Sequence, residues 1–294
     1  IGDLTITTNG VMDVASSSLD VTGDLTSTAG GAQIIGTGPV LLSGDGSIKT
    51  NTLGTPPIEV TRGLRTSGTC TVASLTLSAG ELQISELGTM NVTGDAAFVA
   101  GVLSFAATGA NLDTLNIDGD LIQTGTTIGT TSVQSRIFAA GNWSADSSFV
   151  LDEGWVYLDG GNASIGGLAP AFKRLSLTSG VKTINSQTAI TGTVLSAGGS
   201  TDGPEWLQLI GNTQAISSGS NTLGRVRVAN GVQPFNTTRI GEFEITGGEA
   251  IMTENVTVTV TGNALLLAGT LSFAPVGANL DRLHVLGSVF QTAT

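Results

Sequence analysis

The sequence predicts an all-β protein built as a parallel β-solenoid, with stacked coils of roughly 20–25 residues. Three observations carry that expectation: short alternating runs, regular punctuation by Gly beside Asn or Asp, and internal repeats.

The runs are too short for anything but strands. Leu4-Thr-Ile-Thr, Leu75-Thr-Leu77, Arg225-Val-Arg-Val228 and Val256-Thr-Val-Thr-Val260 place aliphatic side chains at every second position, the period of a strand with one buried face. No stretch of helical length carries the 3.6-residue period.

Punctuation separates the runs at Asn9-Gly10, Gly23-Asp24, Gly44-Asp45-Gly46, Gly94-Asp95, Gly119-Asp120 and Gly262-Asn263. Gly makes up 42 of 294 residues, well above the usual share of about 7%. Corners of a solenoid are expected to use Gly, Asn and Asp to reach positive φ. The interior is expected to be aliphatic and the outer faces to be ladders of Thr and Ser.

The repeats set the period. Gly94 to Gly119 and Gly262 to Gly287 are both steps of 25 residues. Residues 101–124 recur without gaps at 269–292, with Leu-Ser-Phe followed by Gly-Ala-Asn-Leu-Asp in both copies. Residues 155–181 recur at 206–232, with Trp155 on Trp206 and Arg174 on Arg225; that second offset reads as two coils. Residues 1–294 are therefore expected to form one continuous solenoid segment. No capping coil is evident at either end, so a longer parent chain is expected first, with ends that polymerise as the alternative. The competing expectation is a string of tandem β-sandwich domains, which also read as many short strands. The supply of rings, 3 Trp, 1 Tyr and 9 Phe, is thin for sandwich cores.

A resemblance follows from the longest patterned stretch. Phe149-Val-Leu-Asp-Glu-Gly-Trp-Val-Tyr-Leu-Asp-Gly-Gly-Asn-Ala-Ser-Ile, then Phe172-Lys-Arg-Leu-Ser-Leu and Thr191-Gly-Thr-Val-Leu, resembles repeats of large secreted or surface-anchored bacterial proteins. These are the autotransporter-passenger and filamentous-haemagglutinin-like adhesin regions. The resemblance implies a right-handed β-helix on the cell exterior; it carries over no catalytic or binding residue.

Composition excludes several functions. The 11 Lys and Arg stand against 23 Asp and Glu, a formal charge of −12, which repels a phosphate backbone. The basic residues Lys49, Arg62, Arg65, Lys173, Arg174, Arg225 and Arg227 are scattered without interleaved rings and read as solvated, so no nucleic-acid partner is expected. No run of 18 apolar residues occurs, so no transmembrane helix is expected. Cys70 and His284 are each the sole residue of their type. They leave no disulfide within the chain, no thiolate metal cluster and no usual nucleophile–base pair.

Carboxylates remain. Asp20, Asp24, Asp45, Asp95, Asp113, Asp118, Asp120, Asp152 and Glu153 lie in or near turns, and Glu242 and Glu244 share a strand face. Neither calcium-loop pattern is present, and the turn carboxylates read as solvated. The same-face pairs could serve glycoside hydrolysis but also follow from any polar outer face. Five Asn-x-Ser/Thr sequons start at Asn91, Asn142, Asn162, Asn236 and Asn255 and read as chance in a Thr-rich chain.

The expectation is therefore a non-enzymatic structural component of an extracellular or cell-surface filament, shaft or adhesin stalk. No catalytic, cofactor-binding or metal-binding residue is assigned. Its expected partners are further copies or neighbouring segments of the same long protein, with surface glycans as an additional candidate. The alternative is a carbohydrate-binding or polysaccharide-lyase-like β-helix.

Overall fold

The computed structural model describes residues 1–7, 9–27, 32–50, 56–85, 87–106, 112–129, 134–151, 153–212, 215–253, 255–274 and 280–292. Asp152 and the middles of the 101–124 and 269–292 repeats lie outside the described residues. Among the described residues every regular element is a β-strand, and the strands build right-handed parallel β-solenoids. Contacts divide the chain into two compact units, Ile1–Trp155 and Val156–Thr294.

In the first unit, strands one coil apart stack in parallel columns. One column runs Leu4–Ile6, Leu25–Ser27, Gly46–Thr50, Gly63–Thr66, Glu81–Ile84, Gly101–Phe105 and Thr126–Gly129. A second runs from Thr69–Val72 through Thr89–Val92 and Thr114–Ile117 to Arg136–Ala139. A third runs from Leu19–Val21 to Trp143–Ser144 and includes Ala96–Phe98 and Leu121–Gln123. Parallel pairing with crossovers in one direction is the opposite of the hairpins that a β-sandwich needs, so the sandwich alternative describes neither unit.

The second unit has the same three-column plan. Val156 stacks on Leu175, Val194, Ile216, Phe235 and Met252 in turn. A separate column starts with Phe172 on Ile190 and continues through Leu209, Val228, Ile245 and Leu266 to Gln291. The third contains Leu223, Ile240, Val260 and Val285.

These columns change the reading of the repeats. Val156 and Leu207 are equivalent in sequence yet occupy different columns, so the 155–181 repeat advances by more than two coils and turns onto another face. The 101–124 repeat instead reproduces strand positions: Gly101–Phe105, Thr114–Ile117 and Leu121–Gln123 correspond to Thr270–Phe273, Arg282–Val285 and Val289–Gln291. Coil length varies more than expected, with 25 residues between Asn91 and Asn116 but 17 between Arg225 and Glu242.

The core is a stack of Val, Leu and Ile on alternate strand positions. Each fully buried aliphatic side chain contributes about 1.5–3 kcal/mol, and stacking supplies the cover that one coil lacks. Rings are grouped: Phe149 lies 5.4 Å from Phe98 and 5.7 Å from Trp143, while Phe235 and Phe243 meet edge-on at 5.6 Å.

The interior is not purely aliphatic, contrary to expectation. Thr50, Thr66, Thr188 and Thr238 are buried at strand ends, where the ladder leaves backbone groups unpaired. Thr50 Oγ1 donates to Thr71 O at 3.1 Å and accepts from Thr71 N at 2.8 Å. Thr238 Oγ1 donates to Asn236 O at 2.8 Å. A buried hydroxyl is tolerated because it restores a bond that the corner interrupts.

Glycine has the expected use, with Gly80, Gly180 and Gly231 among those at positive φ, and a second one besides. At Gly119 a Cβ would meet Gly94 O at 2.6 Å and Asp95 Oδ1 at 2.4 Å, although φ is not positive there. The residue is needed because one corner rests directly on the corner below. Among the described residues, positive φ outside glycine falls on Asn9, Ala15, Leu87, Ala169 and Asn255, and on no Asp.

Candidate functional site

The corner carboxylates and amides form a ladder of caps. Asp24 Oδ1 accepts Ser47 N at 2.7 Å, Asp45 Oδ1 accepts Gly63 N at 3.1 Å, and Asp120 Oδ1 accepts Asn142 N at 2.7 Å. Asp95 Oδ1 likewise accepts Asp120 N at 2.8 Å. In the second unit Asn162, Asn212 and Asn263 accept Val181 N, Val232 N and Ser288 N, each at 3.0 Å. Each acceptor reaches an amide about one coil further on, so these groups are structural caps, and Asp24, Asp45 and Asp95 are exposed to solvent as well. An Asx side chain suits this role because it is short and places an oxygen near a neighbouring backbone.

The other predicted carboxylates disperse. Asp20 accepts the Ser43 hydroxyl, Asp113 is buried, Asp118 is exposed and Glu153 is half-buried. Among the sequons, Asn91 is half-buried in a side-chain ladder, receiving Asn116 Nδ2 at 2.7 Å. Asn142, Asn162, Asn236 and Asn255 are exposed. Cys70 is buried, its thiol donating to Ile48 O at 3.0 Å, and burial pushes its pKa up. Among the described residues no group of three or more His, Cys, Asp or Glu side chains is placed to hold a metal ion.

The structure gathers one set that the sequence left scattered. Strand register puts Arg225 on Glu242 and Arg227 on Glu244; Arg225 Nε lies 2.8 Å from Glu242 Oε2, and Arg227 Nε lies 3.1 Å from Glu244 Oε1. Trp206 lies beneath them, with the Arg225 and Arg227 Cζ atoms 5.2 and 4.6 Å from its ring centre. Arg225 also donates to Pro204 O. The guanidiniums cover the indole and the carboxylates hold the guanidiniums, so this cluster fastens successive coils. Alternation alone could have placed the four charges on one face; only the coil length reveals the pairing.

A second feature is open. Asp24, Asp45, Ser47, Arg65, Glu81 and Gln83 line a concavity of about 430 Å³ in the first unit, together with Gly46, Gly63 and Leu64. Arg65 and Gln83 make no side-chain hydrogen bond among the described residues. The lining offers hydrogen-bond donors and acceptors but no ring, a set suited to hydroxylated groups.

Among the described residues no helix is long and apolar enough to cross a membrane. Compared with known proteins, the chain matches no protein-family model, no curated protein and no solved structure.

Proposed function

We propose that this chain is a structural segment of an extracellular or cell-surface filament, shaft or adhesin stalk. The observation that carries the reading is the direction of its polar bonds. Corner Asx groups, the Asn91–Asn116 ladder and the Trp206 cluster all link one coil to the next. Such a design gains stability with every added coil and suits a spacer.

Antibody labelling of intact and permeabilised host cells tests it. Labelling of intact cells supports the reading, and labelling confined to permeabilised cells overturns it.

The concavity beside Arg65 favours a second reading, a glycan-binding face on the same solenoid. Titration with neutral and uronate oligosaccharides tests it. Binding that Arg65→Ala weakens supports this reading, and no binding by the wild type removes it.

A further inference from the structure

The tripeptide Asn-Gly-Val occurs twice in the chain, at Asn9-Gly10-Val11 and Asn230-Gly231-Val232, and the fold treats the two differently. An Asn side chain followed by Gly can close on the next backbone nitrogen, because a residue without Cβ leaves that nitrogen unhindered. What decides the reaction is where the nitrogen is held.

At Gly10 the nitrogen is engaged elsewhere, donating to Thr7 O at 2.9 Å. That backbone bond has to break before Asn9 can react. At Gly231 the nitrogen donates to Asn230 Oδ1 at 2.8 Å, so it sits beside the Cγ to which that oxygen is bonded. The ladder does not hold it: pairing of Val232–Phe235 with Glu249–Met252 begins one residue later, and the Asn212 cap takes Val232 N. Asn230 is exposed, so water reaches it.

Packing keeps the glycine in place. Gly231 has a φ of +73°, and a Cβ there would drive into Gly211 O, so the stacked corner demands the one residue that leaves Asn230 unhindered. In the other copy of this repeat the corner is Ser179-Gly180, with Gly180 also at positive φ. Ser179 has no side-chain carbonyl to attack, so the same corner is inert there.

We propose that Asn230 deamidates spontaneously in the folded protein, through a succinimide closed by Gly231 N. Gly231 N gives its proton to solvent and bonds to Asn230 Cγ; the Cγ–Nδ2 bond breaks, and Nδ2 takes a proton from water and leaves as ammonia. Water then adds to one of the two ring carbonyl carbons, the bond from that carbon to Gly231 N breaks, and the nitrogen regains a proton. Opening at Cγ leaves aspartate, and opening at the main-chain carbonyl carbon leaves isoaspartate. A neutral amide becomes a carboxylate, so the formal charge moves from −12 to −13. The isoaspartate form also lengthens the backbone at the corner where Asn212 caps Val232 N. The reaction stands independently of the filament and glycan readings.

Peptide mapping by mass spectrometry of the wild-type protein, aged at neutral and mildly alkaline pH both folded and in urea, tests the site. In the folded protein Asn230 is expected to convert at least about tenfold faster than Asn9, a barrier difference of about 1.4 kcal/mol. Both aspartate and isoaspartate are expected at 230, forming faster as pH rises. In urea the two sites are expected to react at similar rates, because only the fold distinguishes them. Equal rates in the folded protein overturn the proposal, and so does a preference for Asn230 that persists in urea. Aspartate at 230 without isoaspartate marks direct hydrolysis by water and overturns it too.

Discussion

Lys182 Nζ donates a 2.8 Å hydrogen bond to the carbonyl of Gly160, from a side chain only 1% exposed inside the second unit. A further bond of 2.6 Å reaches Gly161 O. Just past the repeat's second copy, at the position 51 residues on, Gln233 Nε2 donates to Gly211 O and, at 2.7 Å, to Asn230 O. Two different side chains thus close the same kind of corner, and what they share is an N–H donor at the right reach.

That equivalence predicts the behaviour of Lys182. Burial pushes its pKa down, with Asp159 opposing, so the unfolded chain binds more protons between the folded and unfolded pKa values. Stability therefore rises as pH climbs through that window, and the contribution is complete above the unfolded pKa. Lys182→Gln is expected to keep stability at pH 7 and to remove this rise, while Lys182→Ala costs about 1–3 kcal/mol through unpaired carbonyls. Urea unfolding of the three proteins from pH 7 to 10.5 checks both points.

Corner glycines should divide by what lies beneath them. Gly119→Ala drives a Cβ into Gly94 O, a backbone atom that cannot yield cheaply, whereas Gly161 has no heavy atom within 4 Å of the same position. The first change is expected to destabilise by more than about 2 kcal/mol and Gly161→Ala to stay within about 0.5 kcal/mol of wild type. Thermal melts of both variants measure the difference.

Removing an Asx cap should cost more than neutralising it. Asp120→Ala leaves Asn142 N without its acceptor and is expected to lose about 1–2 kcal/mol. Asp120→Asn retains an oxygen and is expected to lose less than half of that. Hydrogen exchange at Asn142 N localises the effect, since the alanine variant alone should lose protection there.

The Trp206 cluster should weaken mainly through its ring. Trp206→Ala removes the surface on which both guanidiniums rest and is expected to cost about 1–3 kcal/mol. Arg225→Ala breaks an ion pair that is more than a third exposed and is expected to cost less than about 1 kcal/mol, falling further with added salt. Denaturant titrations at low and high salt separate the two contributions.

Cys70 should be silent until the protein unfolds. Its thiol is fully buried, bonded to Ile48 O and shifted away from thiolate by burial. A thiol reagent is expected to label it at the rate of opening, and labelling faster than that at neutral pH would contradict its placement.

Alternation, Gly-Asx punctuation and the 25-residue steps were enough to predict the β-solenoid, because burying one face of short strands at a regular interval leaves few other architectures. The step from Gly94 to Gly119 is indeed one coil, with Gly119 N donating to Gly94 O at 3.0 Å. Local pattern could not reveal what depends on coil length. Val156 and Leu207 share a sequence environment yet lie in different columns, since coils of unequal length rotate the repeat onto a new face. The same variation sets Arg225 against Glu242 and Arg227 against Glu244, turning apparently solvated charges into a fastening. Asp24 read as a solvated turn carboxylate in the sequence and Lys182 drew no notice, and only the tertiary stack brings the amides and carbonyls of neighbouring coils within their reach. Secondary structure followed from side-chain order along the chain; partners followed from which coil came to lie beneath each residue.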